Sequence, residues 1–159
     1  MLSISNTFVA HQDALAEDVN QNFSDIQTWA NNLVSWKSWT PTYGGSTDYG
    51  TGTYSVQKGR YCQIEKIVHF TAYVITTNHN GTGNLRSNLP VAVSTNLVET
   101  PISIYISQLN LSGANQVVAS IHPSLNLVVW AEVIDNSSSI AIGVDTVATL
   151  RWSGSYEVD

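Results

Sequence analysis

The sequence predicts a mainly β chain with one N-terminal α-helix: a trimeric coiled-coil stem followed by an antiparallel, jelly-roll-like β-sandwich. Three observations predict it. Residues 13 to 36 carry apolar side chains at helical spacing and contain neither Gly nor Pro. From Thr40 onward every long signal is a β-branched or aromatic run broken by a short polar turn. Only 11% of the residues are charged, against roughly 25% in an ordinary soluble domain, so Ser, Thr, Asn and Gln must cover most of the surface.

Residues 1–11 form the first segment. Leu2, Ile4 and Phe8 alternate with polar neighbours in a stretch too short to fold alone and too apolar to stand idle, so they are read as anchoring residues. The stem is expected over residues 12–38, with Asp13 as N-cap. Glu17 and Asp18 then lie at the positive end of the helix dipole and Lys37 at its negative end. Pro41 forbids continuation past Trp39.

Leu15, Val19, Ile26, Trp29, Leu33 and Trp36 follow one another at steps of four, seven, three, four and three. Placing Asn22 in the gap completes a heptad seam, with Val19, Ile26 and Leu33 at a and with Leu15, Asn22, Trp29 and Trp36 at d. Phe23 at e widens the stripe, as expected where each helix touches two neighbours, and one polar Asn is a known device for fixing register. An amphipathic helix packed on its own β-domain is the other reading of the same periodicity.

The head is expected over residues 39–159. Tyr61–Ile64 and Ile67–Thr76 read as strands joined by a hairpin turn at Glu65-Lys66, and Asn78–Gly83 as a loop. Further strands are expected at 85–93, 101–111, 117–121, 125–134, 139–144 and 149–158. Seven or eight strands at intervals of roughly ten residues are the pattern of a sandwich. The stretch from Gly44 to Gly52 reads as flexible.

The net charge of −6 argues against binding nucleic acid by phosphate neutralisation. The single Cys62 falls inside a predicted strand and reads as a buried thiol. No basic segment followed by an apolar stretch opens the chain, and no run approaches the ~18 residues of a membrane span, so a soluble chain without its own export signal is expected. The sequons at Asn22, Asn80, Asn110 and Asn136 follow from the Asn/Ser/Thr-rich composition.

His11, His69, His79 and His122 are scattered without metal-ligand spacing, and no nucleophile elbow or phosphate-binding glycine motif occurs. No catalytic residue, metal or cofactor is therefore expected. Glu132 with Asp135 or Glu99 is the one carboxylate combination that could serve glycoside hydrolysis, if the groups met in a cleft. Tyr43, Tyr49 and Tyr54 near the glycine-rich stretch offer aromatic faces to a ligand or a cap to the sandwich, and Trp130 and Trp152 read as core or subunit interface. Asn78, His79, Asn80, Asn110 and Asn115 are the candidate receptor-contact residues, on loops expected at the end of the head farthest from the stem.

Several short motifs occur in a telling order. Phe8-Val9-Ala10 precedes Val19-Asn20-Gln21-Asn22-Phe23. Trp39-Thr40-Pro41-Thr42 opens the head, and Gly59-Arg60-Tyr61 with Ile64 and Val68 forms the hairpin. Leu89-Pro90-Val91 follows, and Gly154-Ser155-Tyr156-Glu157 closes the chain. In this order the chain resembles the short trimeric fibre and spike proteins of tailed bacteriophages. It departs from them at His11 and Glu65, where glycines are common. The resemblance implies a non-enzymatic homotrimer made in the host cytoplasm and displayed on the virion surface. It implies attachment to other capsid or tail proteins through the N-terminus, with the head outward toward a host surface glycan or decorating the particle. A carbohydrate-binding module and a small enzyme are the competing classes; the module has no need of residues 1–36, and an enzyme should display a convergent polar constellation that the sequence does not show.

Overall fold

The computed structural model describes residues 2–10, 13–33, 35–113, 116–133 and 138–159, without the side chains of residues 32 and 33. His11, Asn115, Asp135 and the Leu33 side chain lie outside the described residues. The chain divides into two compact units, residues 1–35 and 36–159.

In the first unit, helix α1 spans Ala16–Leu33. Glu17 and Asp18 occupy its first turn, where the exposed N–H groups and the dipole favour negative charge. The helix begins later than expected, because Leu15 supplies the first accepting carbonyl, to the Val19 N–H at 3.2 Å, and Asp13 is not its cap. It also ends earlier, and its last turn holds no basic residue. Lys37 does not complement the dipole: it opens strand β1 (Lys37–Trp39), paired with Tyr61. Trp36 likewise lies beyond the helix, in the second unit, where the Arg60 guanidinium lies 5.3 Å from its ring centre.

Residues 5 and 6 lie along α1 as a strap. The Asn22 side-chain amide accepts from the Asn6 N–H at 3.0 Å and donates to the Asn6 carbonyl at 3.0 Å, as a neighbouring strand would. Ser5 N–H donates to Asp25 at 2.9 Å, and the Asn6 amide donates to the Asp18 carbonyl at 3.3 Å. Asn22 thus holds the strap through both the oxygen and the nitrogen of its amide.

The second unit consists of two antiparallel sheets. One runs in the order β1, β3 (Gly52–Ile64), β4 (Ile67–His79), β11 (Ala148–Glu157), β7 (Ser103–Ser107). The other runs β2 (Tyr43–Gly45), β5 (Leu85–Ser87), β9 (Leu127–Val133), β8 (Gln116–His122), β6 (Thr100–Pro101), with β10 (Ile140–Ala141) paired to β9. Strict alternation decides which face is buried. Val68, Phe70, Ala72 and Val74 of β4 and Leu150, Trp152 and Tyr156 of β11 point inward, against Ala119, Ile121, Val128 and Trp130 of the second sheet. Trp130 meets Trp152 edge-on at 5.9 Å, joining the two layers. Cys62 is buried, as a free thiol.

The expected hairpin is present, with Ile64 opposite Ile67 and Glu65 in the left-handed region at φ 52°. Glycine adopts that conformation without the Cβ clash that Glu65 bears. Other expectations need correction. β3 starts nine residues before Tyr61, at Gly52. The strand expected at 85–93 is only Leu85–Ser87, held between β2 and β9. The run expected at 101–111 breaks at Ile102, whose N–H donates to the Ala119 carbonyl at 3.0 Å; β6 before it joins one sheet and β7 after it the other. The glycine-rich stretch is not loose. Tyr43, Gly44 and Gly45 form the buried β2, and Thr47 and Asp48 donate their N–H groups to the Thr82 carbonyl at 3.1 and 3.2 Å.

Candidate functional site

Strand register sorts the loops by end. Lys37 opposite Tyr61, Ile64 opposite Ile67 and Glu157 opposite Ile67 place the start of the head and the Glu65 turn at one pole. Gly52 opposite His79, and Thr149 opposite Ser107, place the loops after His79 and after Ser107 at the other. Asn78, Asn80 and Asn110 are therefore at the pole away from the point where the chain enters the head.

These residues differ in what they offer. Asn78 is exposed. Asn80 is exposed, yet its side-chain oxygen accepts the Thr51 N–H at 2.7 Å. Asn110 is held by both oxygens of Asp145, through its N–H at 2.6 Å and its amide at 2.7 Å. His79 is not a surface residue. Only 3% exposed, it stacks on Tyr43 at 4.6 Å, places Nε2 2.9 Å from the Tyr43 carbonyl, and accepts the Gly81 N–H at Nδ1. That bonding assigns the proton to Nε2 and makes His79 a pin between β2 and the 79–84 loop. A loop-like composition around Asn78-His79-Asn80 concealed a ring that belongs to the core edge.

Of the three candidate carboxylates, Glu132 and Glu99 bind different partners, and Asp135 lies outside the described residues. Glu132 is 3% exposed, and both its oxygens accept from Ser112, the N–H at 2.9 and 3.0 Å and the hydroxyl at 2.7 Å. Glu99 instead accepts from the Ser120 hydroxyl. Each ties down a separate loop. Ser155 Oγ lies 2.7 Å from His69 Nδ1 on the exposed face of β4 and β11, and Ser124 Oγ 3.1 Å from His122 Nδ1. Among the described residues, no three His, Cys, Asp or Glu side chains are grouped to hold a metal ion, and no helix is long and apolar enough to cross a membrane.

Tyr43 is wholly buried and Tyr54 meets it edge-on at 6.2 Å, so these two cap the sandwich. Tyr49 is partly exposed, and its hydroxyl lies 2.9 Å from that of Thr42. Burial raises the hydroxyls of Tyr43, Tyr49 and Tyr54 above the usual tyrosine range, Tyr43 to about 12.

The first unit exposes a different chemistry. Leu15, Phe23 and Ile26 of the helical stripe are exposed, at 55%, 66% and 41%, and so are Ile4 and Phe8 of the N-terminal segment. Val19, Trp29 and Leu2 are half-buried. No family model, curated protein or solved structure matches this chain.

Proposed function

We propose that the chain is a non-enzymatic structural protein of a bacteriophage virion, a short homotrimeric fibre anchored by its N-terminus. In this reading, three copies of α1 wind into a coiled-coil stem below jelly-roll-like heads, whose free pole faces a host surface or decorates the particle. The observation that carries it is the bare apolar stripe on α1. An 18-residue helix is marginal alone in water, and burial of an apolar face is what ordinarily holds such a helix. Leu15, Phe23 and Ile26 lack that burial within the single chain. The strap leaves Ile4 and Phe8 exposed as well, as an attachment segment requires.

Mass in solution tests the reading. The chain should run as a trimer, and Val19→Asp with Ile26→Asp should yield smaller species, because six charges in a dry seam cost several kcal/mol. A wild-type monomer would sink the fibre reading; a variant that stays trimeric would move the oligomer contacts to the heads. A carbohydrate-binding module without a virion role is the second reading. It is favoured by the Arg151 guanidinium stacked between the Tyr73 and Tyr105 rings on the outer face of the five-stranded sheet.

A further inference from the structure

We infer that this outer face is a binding site for an acidic sugar residue, a pyranose ring carrying a carboxylate. The inference deepens the head-binding part of the proposed function without depending on the trimer, and it moves the contact from the loops at the free pole to the middle of a sheet. Residues directly opposite each other on paired strands share a face. Register therefore builds one row from Lys58, Tyr73, Arg151 and Tyr105, and the next from Arg60, Thr71, Ser153 and Ser103.

Three of the chain's six basic residues stand in these two rows, in a chain of net charge −6, and no acidic residue interrupts them. Such a concentration of positive charge on an acidic protein selects an anionic partner. The Arg151 guanidinium lies 4.2 Å from the centre of the Tyr73 ring and 5.3 Å from that of Tyr105. Stacking holds it in place without consuming its N–H donors, and it makes no ion pair or hydrogen bond with a described side chain. A pre-positioned planar fork with free donors suits a carboxylate.

Beside Arg151 the sheet carries an open depression of about 300 Å³, lined by Thr71, Ser103, Tyr105, Arg151 and Ser153. That is the lower end of the size range of small-molecule sites. The Thr71, Ser103 and Ser153 hydroxyls have no hydrogen-bond partner among the described residues, and they can exchange donors and acceptors with ring hydroxyls. Tyr105, 55% exposed at the sheet edge, offers the flat apolar face on which a pyranose ring stacks. A phosphate-only ligand would use the cations but leave this aromatic and hydroxyl surface idle.

The test titrates the whole 159-residue chain by NMR with 3′-sialyllactose and with tetragalacturonate. Lactose and the carboxyl-reduced tetramer serve as neutral controls, and a thymidine octanucleotide as a polyanion control. The acidic sugars should bind each head with a dissociation constant on the order of 1 mM and weaken as salt is raised. Arg151→Ala and Tyr105→Ala should each lose roughly tenfold or more. Arg151→Lys, which keeps the charge and loses the fork, should lose part of that. Both positions are exposed, so the variants should keep the wild-type thermal transition. Binding of neither acidic sugar, equal binding of the neutral controls, or equal binding of the oligonucleotide would overturn the inference. So would an Arg151→Ala variant that changes the oligomeric mass, since the face would then be a contact between copies of the chain. The fibre reading fails on a different result, a monomeric wild type.

Discussion

Tyr43 has no exposed surface, and its hydroxyl donates to the Asp145 carbonyl at 3.3 Å, from β2 to the loop that precedes β11. Burial pushes its ionisation up to about 12 and also raises that of Tyr156, whose hydroxyl donates to the Val91 carbonyl at 2.7 Å. A raised folded pKa stabilises the fold fully below the unfolded tyrosine value near ~10. That contribution is lost as pH rises through the folded value. The head should therefore lose stability above pH ~10, and absorbance at 295 nm should show these tyrosines ionising only with unfolding; early, reversible ionisation of the whole set would contradict it. The two inter-layer tryptophans allow a sharper comparison. Trp130 donates Nε1 to the fully buried Ser87 hydroxyl at 2.9 Å, whereas Trp152 Nε1 has no partner among the described residues. Trp130→Phe should cost about 2–4 kcal/mol, a cavity plus an orphaned hydroxyl. Trp152→Phe, which loses volume alone, should cost less in the same denaturant titration.

The strap on α1 is the element whose energetics are most local. Asn22 holds it through two hydrogen bonds at 3.0 Å, each of modest net value near ~1 kcal/mol. Asn22→Ala should release it while favouring the helix, since alanine is the better helix former. Amide exchange checks this: Ser5 and Asn6 should lose protection while helical circular dichroism holds or rises. Unchanged protection would place the strap's attachment elsewhere. Acid should act likewise. Hydrogen bonds from the Ser5 hydroxyl, the Gln21 amide and the Ser5 N–H hold the Asp25 carboxyl below the usual carboxylate range. A lowered folded pKa stabilises attachment above the ordinary aspartate value near ~4, and that contribution is lost as pH falls through the folded value. The helix itself was legible, because apolar spacing and the lack of Gly and Pro act within one element. Its use of Asn22 was not. A heptad pattern assigns an Asn to the seam, and nothing in residues 1–11 marks Asn6 as its partner.

Across the whole molecule, the same division between local and distant holds. The alternation of Val68, Phe70, Ala72 and Val74 gave away β4, and Glu65-Lys66 its turn. The brief β1, β2 and β6, of three residues or fewer, carry no periodicity to read. The Tyr73, Arg151 and Tyr105 row joins residues far apart in sequence, and only register brings them side by side. The arrangement of the poles has a mechanical consequence. The chain comes into the head through β1, which runs beside β3 from the Glu65 pole toward the free pole, with Lys37, Ser38 and Trp39 paired to Tyr61, Arg60 and Gly59. A pull between residue 36 and a load gripping the free pole acts along β1, so the bonds joining it to β3 are strained together in shear rather than opened one after another. The last strand, β11, ends at the Glu65 pole, where the Val158 N–H donates to the Lys66 carbonyl at 2.8 Å. A tether on residue 36 thus draws on the strand arrangement in its stiffer direction, along the strands rather than across them.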